Sequence, residues 1–201
     1  TRLSRGLGDV YKRQVWTRDL ETNDSLQITK GKDNQTAFAD WSKDGDYIIA
    51  STGFRNLKLH MYHKEGGSGV QLVGEPSSLK IVQPAVSHDD RYIWYAERRN
   101  SWQYNASFPQ YQISKYDRET GEAKRETSRF GSAFTPTLSP DGKWLVYGTR
   151  FEDKTALRIR DLKTGEEKWL AFPVQKDDQE SQATLGCLLY TSDAADEWIG
   201  V

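Results

Sequence analysis

Phe134-Thr135-Pro136-Thr137-Leu138-Ser139-Pro140-Asp141-Gly142-Lys143-Trp144-Leu145-Val146-Tyr147-Gly148-Thr149-Arg150 reads as strand, tight turn, strand. Ser139-Pro140-Asp141-Gly142 supplies turn chemistry in order: proline fixes φ, aspartate bonds its own backbone, and glycine takes the left-handed angle without steric cost. The run Trp144-Leu145-Val146-Tyr147 has no charged member, so both faces of that strand need cover. A lone hairpin cannot provide it, whereas neighbouring units of the same kind can.

The chain contains such neighbours. Phe38 to Ile49, with Ser42, Asp44 and Gly45, aligns with Pro84 to Tyr95, with Ser87, Asp89 and Asp90, and both align with the opening stretch around Asp141 and Gly142. The serines at 42, 87 and 139 lie 45 and 52 residues apart, the length of one propeller blade and of one stretched by an insertion. Between these units lies a second hairpin. Leu157 to Leu162 turns through Lys163-Thr164-Gly165-Glu166, Tyr111 to Tyr116 turns through Arg118-Glu119-Thr120-Gly121-Glu122, and Leu57 to Tyr62 turns at Glu65-Gly66-Gly67. Each turn has glycine where a short loop requires positive φ. Two hairpins per period make a four-stranded antiparallel meander.

The expected fold class is therefore all-β: a β-propeller fragment of about three and a half four-stranded antiparallel blades. The half blade is expected at 15–29, as an outer hairpin without its inner half, and the complete ones at 36–74, 80–127 and 133–172. Propellers close with ~4 to 8 blades. The chain reads as part of a longer protein, and the remaining blades are its first expected partners.

The ends do not share this pattern. Arg5 to Gln14 and Cys187 to Glu197 resemble translated sequencing-adapter read-through from environmental DNA, with ordinary ragged termini as the alternative. Residues 1–14 and 185–201 are accordingly set apart as non-native tails around a native 15–184.

Composition narrows the class further. A net charge of −1 with scattered Lys and Arg gives no nucleic-acid groove. No apolar run approaches the ~20 residues that span a bilayer. The single cysteine, Cys187, forms no internal disulfide.

The Ser139 to Tyr147 pattern followed by Arg160-Asp161-Leu162-Lys163-Thr164-Gly165-Glu166-Glu167 resembles the TolB-like β-propeller repeat over Val15 to Phe172. Trp102 to Tyr111, Thr127 to Gly142 and Val174 to Ser181 more narrowly resemble the propeller that precedes the metal-dependent amidohydrolase domain in certain exported bacterial proteins. The resemblance implies a periplasmic or exported parent, a hydrolase acting on C–N bonds. Its divalent metal would sit in a downstream catalytic domain, the propeller gating or positioning substrate with no catalytic residue, metal or cofactor of its own. A periplasmic TolB-like propeller that binds a peptide or protein without enzymatic activity is the alternative.

Strand alternation places the Asp-Gly and Thr-Gly turns at one end of every blade. The variable loops at 30–36, 53–56, 75–78, 97–110, 128–132 and 150–155 share the other, where propellers bind. Those loops carry Arg55, Arg98, Arg99, Arg150 and Phe151, and the longest also carries Trp102, Tyr104 and Phe108. Arginine with aromatics suits carboxylates, peptides or a partner surface. Solvated arginines and aromatics that clamp the long insertion to its blade are the other reading.

Catalytic motifs are missing from the sequence. His60 and His63 lie three apart on a strand and face opposite ways, and His88 belongs to a turn. No H-x-H pair and no G-x-S-x-G elbow occurs. Ser42, Ser87 and Ser139 read as turn residues, and the paired acids Asp44/Asp46 and Asp89/Asp90 as solvated turn members.

Overall fold

One turn, sealed the same way three times, sets the architecture. In the computed structural model, which describes residues 2–4, 13–31, 34–54, 56–99, 110–152 and 154–176, the hydroxyls of Ser42, Ser87 and Ser139 donate to Asp44, Asp89 and Asp141 at 2.5, 2.5 and 2.6 Å. Each hydroxyl oxygen also accepts the N–H that opens the next strand, from Tyr47, Tyr92 and Trp144 at 2.8, 2.8 and 3.0 Å. The residue after the aspartate is left-handed in all three turns: Gly45 at φ 75°, Asp90 at 58° and Gly142 at 69°. Aspartate tolerates that angle better than most residues with a β-carbon.

The expected strands flank these turns. A leading sheet holds β1 (Arg2–Ser4), β2 (Trp16–Arg18) and β3 (Ser25–Gln27). The first complete blade is β4 (Thr36–Trp41), β5 (Tyr47–Thr52), β6 (Lys58–His63) and β7 (Val70–Val73). The second is β8 (Lys80–Val86), β9 (Tyr92–Arg98), β10 (Gln112–Asp117) and β11 (Ala123–Arg125). The third is β12 (Phe134–Leu138), β13 (Trp144–Phe151), β14 (Lys154–Asp161) and β15 (Glu167–Lys176). Each complete blade pairs its strands in chain order, antiparallel throughout. This is an all-β, partial propeller.

The outer hairpins repeat a second motif. The carboxylate of Asp19 accepts the N–H groups of Glu21 and Thr22, that of Asp117 accepts Glu119, and that of Asp161 accepts Lys163 and Thr164. Asn23, Gly121 and Gly165 then take φ of 70°, 75° and 77°. Backbone bonds of 2.9 Å join the two turns of each complete blade, from Lys64 to Asp46, Arg118 to Arg91 and Leu162 to Lys143. All the sealed turns of a blade therefore lie at one end.

Stacking of the sheets accounts for the unbroken apolar runs. Ile48 and Ala50 pack with Val15 and Ile28, which flank the strands of the leading sheet, while Ile49 points the other way into a cluster with Leu59, Ile81, Ile93 and Tyr95. Trp94 packs in turn with Ile113, Ala133, Leu145 and Tyr147. Neighbouring strand residues thus serve opposite seams. On the far side of the third blade, Val146, Leu157 and Ile159 share a half-buried face, and no sheet stacks on it among the described residues.

The leading sheet differs from expectation. It has three strands rather than a bare outer hairpin, because Arg2–Ser4 pairs with Trp16–Arg18. A backbone ladder accepts any extended tripeptide that reaches it, so side-chain patterning gave no signal of this pairing.

Candidate functional site

The end opposite the sealed turns varies more from blade to blade. Arg98 stands eleven residues after Ser87 and Arg150 eleven after Ser139, the same place in successive blades, where the first blade has Gly53. The guanidinium of Arg98, 8% exposed, lies 5.8 Å from the ring centroid of Tyr111. That of Arg150 lies 5.0 Å from the ring of Phe134. Phe134 in turn needs Gly148 beneath it, since a β-carbon there would come within 2.4 Å of the ring. Cation–π contacts of this kind contribute about 0.5 to 2 kcal/mol as burial increases.

Arg99 follows Arg98 along the chain and turns to the opposite side. Its Nε donates to Glu97 at 2.9 Å, and Arg125 donates to the same oxygen through Nε at 3.2 Å and Nη2 at 3.0 Å. The Glu97 side chain is 2% exposed, so two guanidinium groups compensate one carboxylate in the seam between the first and second blades. A buried charge persists when it is paired in this way. Glu97 was not singled out in the sequence, although an acid ending the apolar run Ile93-Trp94-Tyr95-Ala96 was the available signal.

Phe151 heads an aromatic group at the outer edge of the third blade. Its ring lies 5.4 Å from Trp169 and 5.6 Å from Phe172, which are 5.7 Å from each other. All three rings are about two-fifths exposed, at 45%, 41% and 39%. Beneath them Glu167 gathers Arg160 at 2.6 Å, Arg158 at 3.5 Å and Arg129 at 3.8 Å, and accepts the Tyr147 hydroxyl at 3.0 Å. Burial first, and the Glu167 carboxylate second, push the Tyr147 phenol up to about 12.

The arginines marked in the sequence thus serve separate places. Arg98 and Arg150 stack on aromatics of their own surroundings, Arg99 joins Glu97, and Phe151 joins the aromatic edge. Arg55, Trp102, Tyr104 and Phe108 lie outside the described residues.

Two features of this end were not legible in the sequence. Lys80 opens β8 directly across from Arg98 in the antiparallel register. It is half-buried, and burial followed by the charge of Arg98 holds its pKa below the ordinary lysine value. Gln83 and Thr135 occupy matching places in the inner strands of the second and third blades, four residues before the turn serine. Both are left-handed, at φ 55° and 52°, beside breaks in register, and Gln83 Oε1 accepts the Thr135 N–H at 2.9 Å. A β-branched residue at that angle is strained, and such strain persists only when its surroundings enforce it.

The histidines are dispersed. His60 is half-buried, and burial lowers its pKa, its Nδ1 lying 3.3 Å from the Lys58 carbonyl. His63 packs edge-on to Tyr47, and His88 is an exposed turn residue. Among the described residues no three His, Cys, Asp or Glu side chains converge.

No family model matches the chain, and no curated protein matches it. Solved structures do. TolB from Acinetobacter baumannii is similar at 20% identity and a TM-score of 0.63, over 79% of this chain and 37% of that one. A putative TolB from Agrobacterium tumefaciens is similar at 15% identity and 0.64, over 79% and 55%. An oligogalacturonate lyase in complex with manganese is similar at 14% identity and 0.60, over 86% and 44%. The chain spans well under two thirds of the length of these proteins, and the likeness is one of fold: that of TolB-like propellers.

Proposed function

We propose that this chain is the recognition part of a larger exported bacterial protein, a propeller that holds a ligand at its loop-bearing end and performs no chemistry itself. One contrast carries the reading. The sealed-turn end is the same structure built three times, whereas the opposite end places Lys80, Arg98, Arg150 and Phe151 in surroundings that differ from blade to blade. A rigid scaffold with variable loops at one end is suited to binding. The resemblance of Trp102 to Tyr111, Thr127 to Gly142 and Val174 to Ser181 to amidohydrolase-associated propellers supports a parent in which this module precedes a metal-dependent hydrolase acting on C–N bonds, with the propeller controlling access. The divalent metal belongs to that downstream domain.

The test is to extend the reading frame in the source DNA and express the whole protein. An H-x-H-bearing barrel after the ring, and amide hydrolysis that requires added divalent metal, are the expected results. A frame that stops on ring closure, or continues into G-x-S-x-G, overturns the hydrolase assignment. The exposed group of Phe151, Trp169 and Phe172 favours a second reading, a periplasmic propeller that docks a peptide or protein without enzymatic activity. A stop after ring closure together with capture of a polypeptide partner would establish it.

A further inference from the structure

The aromatic edge of the third blade faces the second blade, away from the side on which a following blade would stack. Tyr147 clusters with Trp94 and Ile113 of the second blade; it stands across from Arg158, and Arg158 across from Trp169. These side chains therefore leave the sheet toward the second blade, and the rings of Phe151 and Phe172 join Trp169 there. A following blade would cover the opposite face, that of Val146, Leu157 and Ile159, and leave the rings exposed. The second blade leaves them open too, since its outer strand β11 has three residues and β15 has ten. Phe130, in the connection between the two blades, is 99% exposed. Its neighbours hold it at this corner: Arg129 lies 5.9 Å from the Trp169 ring, and the Gly131 carbonyl accepts the Arg150 N–H at 2.8 Å. Exposed apolar surface with a polar rim marks an interaction site.

The rim is cationic. Lys115 and Arg160 meet Glu126, while Arg129, Arg158 and Arg160 meet Glu167, and no third carboxylate joins this network among the described residues. Four cations against two carboxylates leave a local excess of positive charge beside the rings, and Arg158 lies 4.6 Å from the Trp169 centroid. β15 also ends its sheet, with no strand beyond it among the described residues. Its free N–H and C=O groups form the kind of edge to which an extended polypeptide adds. We propose that this edge docks an extended polypeptide segment carrying an acidic side chain two residues from an aromatic or aliphatic one, its backbone adding to β15. Residues two apart on a strand share a face, so the apolar group would meet the rings while the acid meets the cations. A planar guanidinium such as that of Arg129 matches an incoming carboxylate. The site deepens the recognition reading, by giving the chemistry of the polypeptide, and rests on it.

The experiment uses the full chain labelled with 5-fluorotryptophan and followed by fluorine-19 NMR, the Trp169 signal being assigned by its loss in Trp169→Phe. Three peptides are titrated: N-acetyl-Thr-Phe-Thr-Glu-Thr-Leu-Thr-amide, its counterpart with Lys in place of Glu, and the isomer N-acetyl-Thr-Phe-Glu-Thr-Thr-Leu-Thr-amide, whose acid falls on the other face. The expected result is a saturable shift of Trp169 with the first peptide. Affinity should be about tenfold weaker for the lysine peptide, for the isomer, and for the first peptide with Arg129→Gln. Phe130→Ser, at a fully exposed position, repeats the affinity test should Arg129→Gln not fold. Equal affinity for either control peptide, or no saturable shift of Trp169, overturns the site. A Trp169 shift that follows protein concentration alone shows a second copy on the edge and overturns it as well. If a peptide moves the signal of Trp102, in the longest loop, while Trp169 stays still, only the edge site falls. If no tryptophan signal moves with any peptide, the recognition reading falls with it.

Discussion

The carboxylate of Asp90 accepts the backbone N–H of Asp44 at 2.8 Å and, through its other oxygen, that of Lys43 at 2.7 Å, so the sealed turn of the second blade is fastened to the sealed turn of the first. The other two turns have glycine at this position, which meets the left-handed angle but can tie nothing. Asp90 therefore accepts a modest backbone strain in return for a contact between blades.

Replacing Asp90 by glycine separates these effects. Glycine relieves the strain at φ 58° but removes both interblade bonds. Bonds to a charged acceptor contribute about 1.5 to 3 kcal/mol when well shielded, and less in a solvated turn. The expected outcome is a net loss of about 1 kcal/mol, read as a lower urea midpoint. A midpoint equal to or above that of the parent would show that the tie contributes nothing.

Gly142→Val should cost about 1 to 3 kcal/mol, because a β-branched side chain resists a φ of 69°. A β-carbon there would also approach that of His88 to 3.3 Å, whereas the equivalent atom at Gly45 meets nothing within 4 Å. Gly45→Val should therefore be the milder change. Equal losses in thermal or urea melts would remove the His88 contact from the explanation.

Glu167→Gln should lower the pKa of Tyr147 from about 12 toward the ordinary phenol value, leaving the part of the shift that burial causes. Ultraviolet titration of the phenolate checks this directly. In the parent, a phenol held higher in the folded than in the unfolded chain contributes stability that is fully present below pH ~10 and is lost as pH rises toward about 12. Glu167→Gln should soften that alkaline loss while costing stability at neutral pH, since Arg158 and Arg160 lose their shared carboxylate.

Ser139→Ala should raise the pKa of Asp141. The serine hydroxyl is the largest cause holding that carboxyl at about 2, followed by the Lys143 N–H. A depressed carboxyl contributes stability that is present above its unfolded value near 3.8 and is lost as pH falls toward about 2. Asp44 and Asp89 are lowered by the same serine contact, so the acid loss should be shared among the three turns. Carbon-13 carboxyl titration of parent and variant decides the matter, and an unmoved Asp141 midpoint would contradict the assigned role of the hydroxyl.

Arg98 shows where sequence reading stopped. Its recurrence with Arg150 in the loop-bearing part of each blade was visible, and so was the suitability of arginine for ligand recognition. Its burial against Tyr111 and its pairing with Lys80 were not, because they depend on the register between β8 and β9. Joint replacement of Arg55, Arg98 and Arg150 would accordingly mix binding with stability. Arg99 is the better probe of the loop-bearing end, being 55% exposed in its side chain while Arg125 continues to satisfy Glu97.

By itself the sequence determined the repeat. Turn chemistry is local, and a serine, an aspartate and a left-handed residue within a few positions specify the same hairpin wherever they occur, as Ser42, Ser87 and Ser139 show. The apolar runs after those turns likewise required neighbours on both faces. Tertiary structure alone decided which charges meet. Glu97 finds Arg125 and Glu167 finds Arg129 across long stretches of chain, and Lys80 stands against Arg98, because the placement of a side chain on one face or the other depends on a register that a single-residue slip would reverse.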